Sequence, residues 1–282
     1  MRVGRLSDGI DACVAVERDG AWYAVARPEA SVLDVLEGDG RPLGEALPER
    51  YRPTVPLRPA RNVMCLGKNF RAHATEFAAY AAETETVPEH PIVFTKAPES
   101  LCGAEDAIEV RRGVASSLDY EVELGVVIGR DGATIPVEEA QSHVAGYTVV
   151  NDVTARDVQE RHRQWFLGKS LPHATPIGPA VVSADEIADL DDRLITCHVN
   201  GELRQSARLG DMIFGVAETI ALISELVPLR RGDIISMGTP SGVGIGFAPP
   251  RFLADGDAVT CEIEGVGSLR NIVRFVDSGR KT

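Results

Sequence analysis

The most informative stretch of the chain is Leu118-Asp119-Tyr120-Glu121-Val122-Glu123-Leu124-Gly125-Val126-Val127-Ile128-Gly129. Apolar and acidic residues alternate at first, and the run then becomes apolar, as expected for a strand that enters a buried sheet. On a strand, Asp119, Glu121 and Glu123 share one face, with neighbouring side chains about 6.6 Å apart. One interpretation is an edge strand with a solvated acidic face. The other is a cation site, because paired carboxylates suit Mg²⁺, Mn²⁺ or Ca²⁺.

Short β-branched runs closed by Gly, Asp or Pro dominate the chain on both sides of this stretch. They lie at 147–150, 194–199, 234–237, 259–263 and 269–275. Helical periodicity is confined to 70–82, 137–143, 154–165 and 214–226. Strands therefore outnumber helices and do not alternate strictly with them. This pattern predicts an α+β, mainly β fold rather than a doubly wound sheet.

The N-terminal part reads as a small separate module. Strand candidates at 13–16 and 22–25 flank Asp19-Gly20, a hairpin turn signal. Four prolines then fall within twelve residues, at positions 48, 53, 56 and 59, which favours an extended connector. We therefore expect a small N-terminal domain with its connector at 1–58 and a catalytic domain at 59–282.

A third acidic residue, Asp152, ends the strand candidate that finishes at Val150-Asn151, just before a predicted helix. An acid in this position can cap the helix. It can equally be a ligand that joins Glu121 and Glu123 at one end of a sheet. The sequence leaves both interpretations open.

His73 and Glu76 are three residues apart on a predicted helix and so share a face. A carboxylate against an imidazole fixes its tautomer and raises its basicity, as in a general-base dyad. The alternative is an ordinary exposed pair on a helix surface.

A locally basic stretch stands out in an acidic protein. It contains Arg156, Arg161, Arg163 and Lys169. The stretch is either a solvated helix face or an anion site for a substrate carboxylate. The loop 237–244 follows a strand, and its amides either cradle an anion or form a plain turn.

Composition excludes several classes of protein. The 282 residues carry a net charge of −13, which disfavours nucleic acid and anionic membranes as partners. No apolar run approaches the roughly 20 residues that cross a bilayer, and the start lacks a secretory signal. The five cysteines are widely spaced, so we expect reduced thiols, no cysteine zinc site and a cytoplasmic location.

Taken together, six motifs resemble the fumarylacetoacetate hydrolase family in type and order. They are Gly67-Lys68-Asn69-Phe70 with His73 and Glu76, Asp119-Tyr120-Glu121-Val122-Glu123-Leu124, Asn151-Asp152-Val153-Thr154-Ala155-Arg156-Asp157-Val158-Gln159, Gly168-Lys169-Ser170, Gly238-Thr239-Pro240-Ser241-Gly242-Val243-Gly244 and Ile263-Glu264-Gly265-Val266-Gly267. The resemblance covers about 61–276. It is nearest to bacterial acylpyruvate hydrolases and oxaloacetate decarboxylases.

The resemblance implies the mixed β-sandwich roll of the fumarylacetoacetase C-terminal domain, and a homodimer. It assigns Mg²⁺ or Mn²⁺, with Ca²⁺ as a third option, to Glu121, Glu123 and Asp152. It makes His73 and Glu76 a dyad on a lid that orders over substrate. Because the segment 70–88 is rich in alanine and has little to bury, we also expect it to be mobile without ligand. The remaining assignments are a catalytic Lys169 and substrate contacts from Arg156, Gln159 and Thr239. They also include Lys68, where relatives carry either a substrate-binding Arg or an apolar residue.

The implied chemistry is cleavage of a 2,4-dioxo acid of the acylpyruvate or fumarylpyruvate type. A hydroxide generated by His73 would attack the 4-carbonyl and expel a pyruvate enolate that the metal and Lys169 stabilise. The dyad favours hydrolysis or decarboxylation over isomerisation. The alternatives are an oxaloacetate-type decarboxylase, a 2-hydroxymuconate-type isomerase or hydratase, and a catalytically silent binding protein.

Overall fold

The computed structural model describes residues 1–27, 29–39, 41–42, 44–81 and 87–277. The strands are β1 (Arg2–Ser7), β2 (Ala12–Arg18), β3 (Ala21–Ala24), β4 (Arg52–Pro53), β5 (Val63–Gly67), β6 (Ile92–Lys96), β7 (Leu101–Cys102), β8 (Ile108–Arg111), β9 (Leu118–Asp119), β10 (Val122–Ile128), β11 (Val144–Asn151), β12 (Thr154–Ala155), β13 (Thr175–Ser183), β14 (Leu194–Val199), β15 (Glu202–Arg208), β16 (Ile234–Ser236), β17 (Ala258–Ile263) and β18 (Gly267–Val276).

Helices are few and short. They are α1 (Val32–Asp34), α2 (Arg71–Ala81), α3 (Val137–Ala140), α4 (Arg156–His162), α5 (Phe166–Lys169) and α6 (Val216–Leu226). Short 3₁₀ turns occupy Pro98–Ser100, Gln141–His143, Ala184–Glu186, Leu190–Asp192, Leu209–Asp211 and Gly244–Gly246, and an irregular helical turn spans Val35–Asp39. No helix in these ranges is long and apolar enough to cross a bilayer.

Two mixed sheets form the body of the described chain. The larger has the order β3-β2-β1-β13-β11-β10-β16-β5-β6, with β4 added on β1 and β7 on β13. The smaller has the order β15-β14-β17-β18-β8. Most neighbours are antiparallel, but β5 with β16, β7 with β13 and β8 with β18 are parallel. The predicted mainly β, mixed sandwich is confirmed.

The main core lies between the two sheets. Alternate residues of β10, Val122, Leu124 and Val126, pack in one cluster with Ile195 of β14 and Cys261 of β17. All five side chains are 0–1% exposed. Period-two alternation therefore places this face of β10 in the core and leaves Glu123 on the opposite face.

The N-terminal residues extend the larger sheet. β1 pairs antiparallel with β13, and the predicted hairpin turn has left-handed backbone at Asp19 (φ 50°) and Gly20 (φ 77°). The Trp22 ring lies so close to Gly4 that a Cβ there would come within 2.9 Å of it. A small apolar cluster joins this region to Val127 and Val181. The boundary at residue 58 stays a prediction.

The larger sheet curls strongly on itself. Lys96 on β6 donates to Asp152, which directly follows β11, although β5, β16 and β10 lie between those two strands in the sheet. The segment after β6 then pairs with β13 through β7. The curl encloses a third apolar cluster, which includes Cys65 and Val150. Because of this curl, the side chain of Lys96 on the edge strand β6 lies close to the start of β10.

Candidate metal and active site

Three buried carboxylates meet where β10 begins and β11 ends. The register pairs Val122 with Asn151, so Glu121 and Glu123 lie beside Asp152. One oxygen of each lies within 4.8 Å of the others, and the three residues are 4%, 1% and 0% exposed. A solvated acidic face is therefore wrong. Capping by Asp152 is also wrong, because Ala155 precedes α4 without any side-chain cap.

Two lysines lie within this acidic cluster. The Lys169 Nζ donates to Glu121 Oε2 and to Asp152 Oδ2, at 2.7 Å from each. The Lys96 Nζ donates to Asp152 Oδ1 at 2.6 Å and to the Val153 carbonyl at 3.1 Å. Burial alone would lower the pKa of Lys169, but Asp152 and Glu121 outweigh it and raise that pKa above its usual range. Lys169 therefore stays an ammonium.

Arg156 fixes the other side of Glu121. Its Nη2 donates to Glu121 Oε1 at 2.5 Å, its Nε to Asp119 Oδ2 at 2.9 Å, and its Nη1 to Gln159 Oε1 at 3.2 Å. Burial raises the pKa of Glu121, but Lys169 and Arg156 outweigh it and bring it to about 2. Glu121 is consequently ionised at any physiological pH.

Asp119 does not join the three-carboxylate cluster. The strand breaks between β9 and β10, so the pleat does not continue from Asp119 to Glu121. Asp119 instead accepts hydrogen bonds from the amides of Gly244 (2.6 Å) and Ile245 (3.1 Å). It thereby ties the loop before Phe247 to Arg156.

Glu123 is the least compensated of the three carboxylates. Its Oε2 accepts from the Ser236 hydroxyl at 2.6 Å and from the Gly238 amide at 3.0 Å. Burial, followed by the charges of Asp152 and Glu121, raises its pKa well above the usual range. A buried carboxylate beside two others favours an added cation. An all-oxygen donor set of this kind suits Mg²⁺, Mn²⁺ or Ca²⁺, so the residues fit a divalent metal.

His73 and Glu76 form the expected dyad on α2. The His73 Nδ1 lies 3.2 Å from Glu76 Oε2, and His73 is 5% exposed. The amide of Gly242 donates to both Glu76 oxygens at 3.1 and 3.3 Å. A Cβ on Gly246 would lie 2.1 Å from Glu76 Oε1, so only glycine leaves room for this carboxylate. An exposed helix pair is therefore wrong.

A single pocket gathers most of the predicted site residues. It is lined by Leu66, Gly67, Lys68, His73, Phe94, Glu121, Glu123, Arg156, Gln159, Trp165, Lys169 and Thr239. One wall is aromatic: the rings of Phe94 and Trp165 are 5.2 Å apart, and Trp165 would lie 2.5 Å from a Cβ on Gly67. The Lys169 Nζ lies 5.0 Å from the centre of the Phe94 ring. Lys68 reaches the pocket from a left-handed backbone position (φ 55°).

The family model for the C-terminal domain of fumarylacetoacetate (FAA) hydrolase matches residues 62–274. The chain belongs to the fumarylacetoacetate hydrolase family.

Relatives within the fumarylacetoacetate hydrolase family carry different activities in their names. Oxaloacetate tautomerase YisK of Bacillus subtilis is 48% identical over 214 residues, 76% of this chain and 70% of that protein. The structure of a fumarylacetoacetate hydrolase from psychrophilic Exiguobacterium antarcticum has a TM-score of 0.87 at 38% identity, covering 98% of this chain and 100% of that one. A 5-carboxymethyl-2-hydroxymuconate delta-isomerase from Mycobacterium smegmatis has a TM-score of 0.79 at 29% identity, covering 99% and 100%.

One residue in contact with the acidic cluster, Lys96, was not predicted from the sequence. Its side chain is 0% exposed. The available signal was a lysine two residues after the apolar run 92–94, because a lysine that a strand buries is almost always paired. The contact of Lys96 with Asp152 depends on the curl of the sheet and not on the spacing of the two residues in the sequence.

The predicted mobile lid at 70–88 is described only in part. α2 covers Arg71–Ala81, while residues 82–86 lie outside the described residues. The mobility of this segment stays a prediction.

Proposed function

We propose that this protein is a divalent-metal-dependent tautomerase that interconverts the keto and enol forms of oxaloacetate or a similar small 2-oxo dicarboxylate. The observation that carries the proposal is that one pocket is lined by His73, the Lys169 ammonium and two carboxylates of the acidic cluster, while Glu76 contacts His73 at Nδ1. The Bacillus subtilis oxaloacetate tautomerase, at 48% identity, supports this reaction. The likeness to a muconate isomerase supports proton transfer over hydrolysis.

Glu121, Glu123 and Asp152 are the proposed ligands of the metal, Mg²⁺ or Mn²⁺. When bound, this ion supplies Lewis-acid polarisation of the 2-oxo group. Lys96, from outside the pocket, and Arg156, from the pocket wall, hold two of the three ligand side chains in place.

His73 is the proposed base and acid. Because Glu76 accepts from Nδ1–H, the lone pair of the imidazole is on Nε2. Nε2 takes a proton from the carbon next to the 2-oxo group, and the negative charge moves onto the 2-oxo oxygen. The same proton then returns from Nε2 to that oxygen, which completes the enol. The Glu76 carboxylate stabilises the transient imidazolium.

Lys169 stabilises the negative oxygen that develops in this step. It stays protonated, so it acts as a fixed positive charge and hydrogen-bond donor and not as a proton source. The carboxylates of the substrate are proposed to bind Lys68, Gln159 and Thr239. The Gln159 Oε1 accepts from Arg156, so its amide Nε2 is the group that can donate to substrate.

The test is to follow the ultraviolet absorbance of the oxaloacetate enol with the Mg²⁺-loaded protein. We expect wild type to accelerate keto–enol exchange and His73→Ala to slow it about 10²–10⁴-fold, as for loss of a positioned base. His162→Ala, which removes an exposed histidine on α4, is the matched control and should keep the wild-type rate. Keto–enol exchange no faster with wild type than with buffer and Mg²⁺ would refute the proposal.

Hydrolysis of an acylpyruvate is a second candidate, and the buried dyad together with the likeness to the Exiguobacterium hydrolase favours it. In that reaction, Nε2 of His73 would take its proton from water instead of carbon. Pyruvate release from acetylpyruvate and fumarylpyruvate, measured beside the oxaloacetate assay, separates the two. Pyruvate from these substrates without accelerated oxaloacetate exchange would replace the first candidate by the second.

A further inference from the structure

Gln205 on β15 connects three parts of the active site that are far apart in the sequence. Its Oε1 accepts from the Val122 amide at 3.1 Å, and its Nε2 donates to Thr239 Oγ1 at 2.8 Å and to the Pro240 carbonyl at 2.7 Å. Gln205 is 0% exposed and lies behind the pocket wall, so it does not line the pocket itself.

The orientation of this amide has only one solution. The backbone N–H of Val122 can only donate, so it requires the oxygen of Gln205 on its side. The carbonyl of Pro240 can only accept, so it requires the nitrogen on the other side. Nε2 has two hydrogens, and the geometry uses one for Pro240 and the other for Thr239. The Thr239 hydroxyl is therefore an acceptor in its bond with Gln205.

This direction determines what the Thr239 hydroxyl can do in the pocket. A hydroxyl has one hydrogen, and since its oxygen accepts from Gln205, that hydrogen must point elsewhere. Among the described residues, no acceptor for it is found. Thr239 is 2% exposed and lines the pocket with Glu123 and Lys169. The hydroxyl hydrogen is thus available to an anionic oxygen of the substrate.

We propose that Gln205 is a positioning residue that sets Thr239 as a hydrogen-bond donor to a carboxylate or enolate oxygen of the substrate. The inference rests on the proposed 2-oxo acid substrate. The loop 237–244, which carries Thr239, also packs closely against β15. Gly242 in this loop (φ 99°) has no room for a Cβ, which would lie 1.9 Å from the Arg204 carbonyl. Gln205 therefore controls the direction of one hydrogen bond within a loop that packing already holds.

The experiment measures the affinity of Mg²⁺-loaded protein for oxalate, a dianion with the oxygen pattern of a 2-oxo acid, by calorimetry. Thr239→Val keeps the shape but removes the hydroxyl, and we expect oxalate to bind about 10–100-fold more weakly, as for one hydrogen bond to a charged group. Thr239→Ser keeps the hydroxyl and should bind like wild type. Gln205→Glu should match Thr239→Val, because the introduced carboxylate accepts the hydroxyl hydrogen that the substrate would otherwise receive.

Two further variants separate positioning from a merely structural role. Gln205→Met loses all three hydrogen bonds and should lower the melting temperature more than Gln205→Glu. It should nevertheless weaken oxalate less, because the Thr239 hydroxyl is then free to turn toward the ligand. The double variant Gln205→Glu with Thr239→Val should bind oxalate no more weakly than Thr239→Val alone, because both changes remove the same hydrogen bond.

Three results would overturn the inference: losses that multiply in the double variant, a Gln205→Met defect as large as that of Thr239→Val, or a parallel loss of Mg²⁺ affinity in Gln205→Glu. If Gln205→Glu does not fold, the comparison of Gln205→Met with Thr239→Val decides alone. Oxalate binding needs no turnover. If the variants change oxalate affinity as expected but wild type does not accelerate oxaloacetate exchange, only the proposed function is refuted. If wild type accelerates exchange but the variants do not change oxalate affinity as expected, only this inference is refuted.

Discussion

Replacing Lys96 by Met tests whether the acidic cluster is held by buried counter-charges. The Lys96 ammonium is 0% exposed and donates to Asp152 Oδ1 at 2.6 Å and to the Val153 carbonyl at 3.1 Å. Methionine has nearly the same length and flexibility, so it fills the space without the charge. The variant leaves Asp152 with a single cationic partner, Lys169.

The expected cost follows from the burial of the pair. Removing one partner of a buried ion pair costs about 3–5 kcal/mol, because the other charge is left uncompensated. Asp152 keeps Lys169, so we expect the lower end, about 3 kcal/mol. For a chain of 282 residues, that corresponds to a fall of roughly 5 °C in melting temperature.

Added Mg²⁺ should reverse part of this loss. Lys96 is a positive charge next to a proposed metal ligand, so its removal strengthens the attraction of the site for a cation. We expect Mg²⁺ to bind roughly tenfold more tightly, which adds about 1.4 kcal/mol to the stabilisation by bound ligand. The rise in melting temperature on adding Mg²⁺ should therefore be larger in Lys96→Met than in wild type.

The measurement is thermal unfolding with EDTA and then over a Mg²⁺ titration. Arg112→Met is the matched control, because Arg112 pairs with Asp255 at 2.9 Å while both side chains are about half exposed. That pair contributes at most about 1 kcal/mol, and it lies outside the metal cluster. The argument from buried counter-charge is refuted if Lys96→Met and Arg112→Met have the same melting temperature in EDTA. It is also refuted if Mg²⁺ raises the melting temperatures of wild type and both variants equally.

Two further substitutions probe the metal ligands and the dyad. Glu123→Gln removes one anionic ligand and should weaken Mg²⁺ or Mn²⁺ binding sharply in calorimetry; an unchanged affinity would remove Glu123 from the ligand set. Gly246→Ala would place a Cβ 2.1 Å from Glu76 Oε1, so the carboxylate must leave the Gly242 amide and His73. We expect Gly246→Ala to slow oxaloacetate exchange as much as Glu76→Gln does, while its Mg²⁺ affinity stays at the wild-type value. Oxaloacetate exchange at the wild-type rate in Gly246→Ala would contradict a role for the dyad.

The parts of the site that local patterns define were predictable. Glu121 and Glu123 follow from strand alternation, and Asp152 directly follows the neighbouring strand, so the antiparallel pairing of β10 with β11 brings the three together. His73 and Glu76 lie one helical turn apart. Each of these relations depends on a period of two or 3.6 residues, or on the pairing of strands that are neighbours in the sequence.

The parts that depend on long-range geometry were not predictable. Lys96 reaches Asp152 only because the sheet curls, and the curl cannot be predicted from the periodicity of apolar residues along the strands. The expectation that Asp119 shares one face with Glu121 and Glu123 assumed one continuous strand. The strand breaks at Tyr120, and Asp119 binds the amides of Gly244 and Ile245, more than 120 residues away. No local signal gives that contact.

The contact between Trp165 and Gly67 has a spectroscopic consequence. The chain contains two tryptophans, and they occupy different places. Trp165 stands in the pocket wall against Phe94, whereas Trp22 packs on Gly4 in the N-terminal hairpin region. With Trp22 replaced by Phe, intrinsic fluorescence becomes a single-site optical reporter of the pocket. Ligand titrations and stopped-flow binding can then be read without an attached dye.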